Sequence, residues 1–97
     1  MAEAYDAGSV VGMDTVSRFV VDGRIVLMPT KRAKRLLVLD HVAQAFEPGR
    51  SYAEYEVNRV LLCFFDDYAA LRRYLVDEGF LTREDNVYWR SGGSVEV

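Results

Sequence analysis

Gly79 divides the most constraining stretch of this chain, DDYAALRRYLVDEGFLTREDNVYWR from Asp66 to Arg90, into two kinds of structure. Before it, Tyr68, Leu71 and Leu75 recur at i, i+3 and i+7 with Tyr74 alongside, so one side of a helix is apolar and the other is not. Asp66 is placed to cap that helix, because its carboxylate can accept from the unpaired N–H groups of the first turn. Gly79 falls where the helix must end in a left-handed residue, a conformation that costs glycine nothing sterically. After it, Phe80 to Arg83 and Val87 to Arg90 are β-prone runs, and Glu84-Asp85-Asn86 between them predicts a hairpin with a three-residue loop. A helix that stops at glycine and enters a hairpin is the sequence pattern of a recognition helix followed by a wing.

The preceding chain supplies the elements such a unit packs against. Val16, Phe19 and Val20 fit a helical face within Asp14 to Val21, and they equally fit a strand turning at Asp22-Gly23. Arg24-Ile-Val-Leu-Met28 reads as a strand on either alternative, stopped by Pro29, which has no N–H for a ladder. Thr30 can cap a helix over Lys31 to Phe46, with Leu36, Leu39, Ala43 and Phe46 as its apolar stripe and Pro48-Gly49 as its terminator. Ser51-Tyr-Ala-Glu54 matches a capping box that opens a further helix to about Phe64. Val57, Val60, Leu61 and Phe64 form its buried edge. The expected fold class is therefore α+β and winged-helix-like. It has three helices, a short early strand available to extend the sheet, and a C-terminal two-stranded wing. Residues 14–91 form the single domain, with a flexible arm over 1–13 and a flexible tail over 92–97.

Ninety-seven residues suit one domain with a modest core. The net charge of −3 matters more, because a nucleic-acid module usually carries a basic excess, so any DNA contact must come from a local patch. The single Cys63 cannot form an internal disulfide, and inside the run Val60-Leu-Leu-Cys-Phe-Phe65 it reads as a small buried hydrophobe. No signal peptide and no membrane span is evident, which makes a cytoplasmic protein the expectation.

Several motifs together resemble the DUF2087 family, an uncharacterised bacterial domain found alone or appended to ArsR-type winged-helix transcriptional regulators. They are DGR–(four residues)–P–x–K–R–x–K–R–L–x–V–L in Asp22 to Leu39, FEPGRSY in Phe46 to Tyr52, and EVN in Glu56 to Asn58. The last is D–x–x–x–L–R–R–x–L–V–D–x–G–x–L–x–R in Asp67 to Arg83, closing on Tyr88-Trp89-Arg90. The resemblance spans Asp22 to Arg90. It implies a winged-helix-like module with a regulatory association and no catalytic residues, and it favours a short helix over a strand at Asp14 to Val21. Ala53 stands where members tend to have a capping Thr or Ser.

Two groups are candidates for function. Lys31, Arg32, Lys34 and Arg35 crowd the N-terminal end of a helix, with Arg24 nearby, where the dipole opposes each cation by about 0.3–1 kcal/mol. A phosphate there would meet both the side chains and the free N–H groups. The alternative is a solvated basic face balanced by carboxylates such as Glu47 or Asp77. The second group is the outer face of the last helix, with Ala69, Ala70, Arg73 and Asp77 opposite Leu71 and Leu75 and Arg72 at the side. Alanine there could meet a thymine methyl and Arg73 a guanine. Against this, Asp66, Asp67, Asp77 and Glu78 make the helix acidic, and Glu84-Asp85 puts carboxylates at the wing tip. Arg72 and Arg73 could equally pair with carboxylates.

No enzyme constellation emerges. The lone His41, expected to be partly exposed, has neither a nucleophile to serve nor a metal partner at ligand spacing, and no cofactor is implied. Two functions compete: a transcription-regulatory module that binds double-stranded DNA, and a non-catalytic module that binds a protein partner or forms a homodimer.

Overall fold

The computed structural model describes residues 14–94. The expected arm over residues 1–13 and the last part of the expected tail, residues 95–97, lie outside them. Both alternatives for Asp14 to Val21 are realised in succession. Residues 14–19 are helical (α1), and Val20–Val21 (β1) then turns through Asp22-Gly23 into Arg24–Ile25 (β2). Val20 faces Ile25 and Val21 faces Arg24. Asp22 and Gly23 both have positive φ, 53° and 81°, as a tight two-residue hairpin turn between right-twisted strands requires. The strand expected through Met28 ends at Ile25, because its partner is already helical at Phe19. One bond from the Val26 N–H to the Phe19 carbonyl, 2.8 Å, closes the ladder. Val26 and Leu27 are left 60% and 63% exposed.

The first long helix, Arg32–Ala43 (α2), is shorter than expected at both ends. Lys31 rather than Thr30 occupies the N-cap and gives no side-chain bond, and Phe46 lies beyond the C-terminus. Phe46 is nevertheless buried, edge-on to Tyr52 at 5.1 Å, while the Tyr52 hydroxyl accepts from the Glu47 N–H at 2.8 Å. The buried face of α2 is Val38, Leu39, Val42 and Ala43, with Leu36 at its margin.

Ser51 does not cap a helix. Ser51–Ala53 is a strand (β3), and the next helix, Glu54–Leu62 (α3), begins two residues later than the Ser51 cap places it. Ala53 is its N-cap, and Glu56 rather than Glu54 reaches back, accepting from the Ala53 N–H at 3.0 Å. That is half of a capping box; the methyl side chain cannot provide the other half. Similarly, Asp67 rather than Asp66 caps the last helix, Tyr68–Asp77 (α4), accepting from the Ala70 N–H at 3.1 Å. Gly79, φ 81°, terminates it as expected.

Leu81–Glu84 (β4) and Val87–Arg90 (β5) form the C-terminal hairpin, whose loop is the two residues Asp85-Asn86 rather than three. Asp85 takes the positive φ, 56°. β3, not the early hairpin, extends this sheet, giving the order β3-β5-β4, all antiparallel. Ser51 faces Trp89 and Ala53 faces Val87, while Thr82 faces Trp89 on the other side. β1 and β2 stay a separate two-stranded sheet. The described residues thus contain four helical segments, not three, in an α+β arrangement.

One core joins these parts. Leu39, Phe46, Val57, Leu61, Leu71 and Leu75 are buried as expected, joined by Ile25, Val38, Val42, Tyr52, Leu81 and Tyr88. Phe80 packs on its edge. Trp89 does not close the core, because side chains alternate across a strand and Tyr88 takes the inward position. Cys63, expected to be buried, is exposed at the C-cap of α3, its Sγ 3.5 Å from the Arg59 carbonyl. The helix has already turned its apolar side inward at Leu61, and Cys63 follows two residues on.

After β5 the chain returns to α2. The Asp40 carboxylate accepts from the Ser94 N–H at 2.6 Å and the Ser94 hydroxyl at 2.9 Å, and Gln44 donates to the Ser94 carbonyl. Arg90 donates to the carbonyls of Phe46, Gly92 and Ser94.

Candidate nucleic-acid interface

The basic group at the start of α2 is divided by its surroundings. Arg32 grips Glu78 with two parallel bonds, Nε to Oε2 at 3.0 Å and Nη2 to Oε1 at 2.7 Å. The balancing carboxylate is therefore Glu78, not Glu47 or Asp77. The hydrogen bond from Arg32, with its positive charge, holds the Glu78 carboxyl below its ordinary range. The same bond raises the guanidinium's own pKa. Arg35 folds back on the loop before its helix, donating to the Thr30 carbonyl at 3.0 Å, and lies over the Tyr74 ring at 4.9 Å. Arg24 is similarly occupied. Its Nη1 caps the end of α3 at the Leu62 and Cys63 carbonyls, 2.9 and 3.2 Å, and its Nη2 pairs with Asp66. Lys31 and Lys34 make no side-chain hydrogen bond or ion pair with a described residue. The expected cluster of cations thus reduces to two lysines.

The outer face of α4 keeps more of its expected character. Ala69 and Arg73 are exposed, while Ala70 is half-buried above the Asp67 cap. Arg72 turns inward to donate to the Asn58 side-chain carbonyl on α3. Arg73 has no hydrogen bond or ion pair among the described residues. Ala69, Arg72 and Arg73, but not Ala70, open onto a cleft of about 280 Å³ between α4 and the β4–β5 hairpin, lined also by Val76, Asp77, Arg83 and Tyr88.

Arg83 was not singled out by sequence, although it closes the fourth family-like motif. Its position on an alternating strand opposite Tyr88 was the signal that could have found it. The guanidinium lies over the Tyr88 ring at 5.8 Å and is 3.6 Å from the Glu54 carboxylate. Its Nε donates to the Asp85 carbonyl across the hairpin turn at 2.8 Å. Glu54 also accepts from the Tyr88 hydroxyl at 2.8 Å. Burial, reinforced by that bond, keeps the phenol protonated above its ordinary range. The cleft thus has a neutral aromatic floor and three arginines around it, two of them steadied by neighbours and one unpartnered among the described residues.

His41 is exposed and meets Phe64 edge-on at 6.2 Å. Among the described residues no group of three or more His, Cys, Asp or Glu could hold a metal ion, and no helix is long and apolar enough to cross a membrane.

The described residues define a small α+β domain whose last helix and last hairpin share a cationic cleft. The chain belongs to the family described as "Uncharacterized protein conserved in bacteria (DUF2087)", whose model matches residues 24–90 and so covers α2 through β5 together with β2. Neither a curated protein nor a solved structure matches the chain.

Proposed function

We propose that this domain is a winged-helix DNA-binding module of a transcription-regulatory protein, acting in the bacterial cytoplasm without a catalytic step. The observation that carries the proposal is the cleft between α4 and the β4–β5 hairpin, lined by Arg72, Arg73 and Arg83. The order of elements supports it: helix α2, strand β3, helices α3 and α4, then a hairpin whose second strand pairs with β3. In such an arrangement α4 would enter the major groove while the hairpin follows the backbone. Arg73 and Ala69 would approach bases, and Arg72, Arg83, Lys31 and Lys34 would approach phosphates. The net charge of −3 works against affinity, and the phosphate contacts would make what affinity there is fall with salt.

Fluorescence anisotropy against a duplex pool, beginning at low ionic strength, tests this directly. The affinity should fall with salt, with a logarithmic slope growing by about 0.9 for each phosphate neutralised. Arg83→Ala should weaken all duplexes alike and flatten that slope, because phosphate contacts carry no sequence information. Arg73→Ala should change the preference among sequences. Folded protein that binds no duplex at low salt would overturn the proposal.

One observation favours the second function, a module that binds a protein or its own copy. Tyr55 and Leu62 are 66% and 48% exposed, two turns apart on one side of α3. A mass that rises with concentration, and that returns to the monomer value in Tyr55→Ser, would support it.

A further inference from the structure

Asp77 occupies a position that helix electrostatics disfavours. It lies in the last turn of α4, at the negative pole of the dipole, and no basic residue shares that turn. Its neighbour Glu78 has the same disadvantage, but Arg32 offsets it with two hydrogen bonds. Asp77 has no hydrogen bond or ion pair with a described residue, and neither has Arg73 one turn earlier. Arginine preceding aspartate at i, i+4 is the weaker order for a helical ion pair, and here the two heads stay apart. A sequence that breaks a local rule without internal compensation often does so where it acts.

Both side chains line the cleft together with Ala69. Ala69, Arg73 and Asp77 stand at i, i+4 and i+8, one row along the exposed face of α4. The row spans about 12 Å of helix, comparable with three to four base-pair steps. It offers in succession a methyl group, a two-pronged donor and an acceptor. These match a thymine methyl, the O6 and N7 of guanine, and the N4 amine of cytosine.

We propose that Asp77 is a base-reading residue, accepting a hydrogen bond from the exocyclic amine of a cytosine in the major groove, close to the guanine met by Arg73. The inference rests on the DNA-binding function proposed above and goes beyond it in assigning a carboxylate, not only the cations, to specificity. Arg72 and Arg83, already held by Asn58 and Glu54, line the same cleft beside the row.

The test is selection from a random duplex pool at low ionic strength, sequenced before and after, with the parent protein, Asp77→Ala, Asp77→Asn and Arg73→Ala. The parent should enrich a guanine and a cytosine at fixed separation. Asp77→Ala should remove the cytosine preference by roughly 5- to 100-fold while keeping the guanine preference, and Arg73→Ala should do the reverse. Asp77→Asn should move the preference at that position from cytosine towards adenine, which asparagine recognises through N6 and N7. If Asp77 only repelled the backbone, Asp77→Ala would strengthen every duplex alike, and that result overturns the inference while leaving DNA binding intact. A pool from which the parent retains nothing removes both.

Discussion

A hydrogen atom at the α-carbon of Gly92 is what allows the chain to pass Gly79. A Cβ built there would come within 2.5 Å of the Gly79 carbonyl oxygen, which is backbone and cannot turn aside. Gly92→Ala should therefore lower stability by about 1–3 kcal/mol, seen as a reduced urea midpoint at unchanged slope. An unchanged midpoint would mean that residues 91–94 do not pack as described. The Arg32–Glu78 pair makes a prediction of a different kind. Because the Glu78 carboxyl titrates below its ordinary 4.5, the pair contributes stability that is present above that pH and lost as the pH falls through the lower folded value. The stability difference between the parent and Glu78→Gln should accordingly shrink as the pH is lowered from 6 through the acidic range, and a constant difference would locate the stabilisation elsewhere. Cys63→Ala should leave stability close to the parent's, as expected of an exposed side chain.

Among the elements, α4 and α3 respond to opposite changes. Leu71 and Leu75 are fully buried, so replacing either with Ala should cost about 2–5 kcal/mol in chemical denaturation. At α3 the N-cap is deficient: Ala53 has the extended backbone of a cap, φ −70° and ψ 155°, without a side-chain acceptor. Ala53→Ser should complete the capping box with Glu56 and raise stability by about 0.5–2 kcal/mol. A loss of stability instead would mean that the strand pairing of Ala53 with Val87 resists the substitution. These cases also mark what the sequence made legible. The period of α4 and the glycine after it were unambiguous, because burial on one face and a left-handed stop leave few alternatives. The start of α3 was misplaced because Ser51-x-x-Glu54 and Ala53-x-x-Glu56 overlap, and pairing with Trp89 draws Ser51 into the sheet. The same long-range pairing explains why β3, a three-residue strand without a pattern of its own, went unseen.

On the scale of the whole molecule, charge distribution separates what sequence could and could not say about the candidate interface. The run Lys31 to Arg35 looked like one basic patch because its partners lie far along the chain. Glu78 and Tyr74 neutralise or cover two of its members, and the caps on α3 engage Arg24. The cleft, in contrast, needs Arg72 and Arg73 from α4 and Arg83 from β4, which the turn at Gly79 brings together. Replacing Lys31 and Lys34 together should reduce the salt slope of the proposed duplex binding by about 1.8 at most, since only these two of the run are unpaired among the described residues. A larger fall would mean that the two substitutions also displace other phosphate contacts.

The bonds of Ser94 to Asp40 and Gln44 also make a mechanical arrangement. A pull applied to the chain beyond residue 94 is shared between α2, through that clasp, and Arg90 at the end of β5, which also donates to the Ser94 carbonyl. In a force experiment the clasp should yield as a separate early step, releasing the few residues between Arg90 and Ser94 while the sheet stays intact. Asp40→Ala should lower the force at which that step occurs, leaving Gln44 and Arg90 to hold the Ser94 carbonyl.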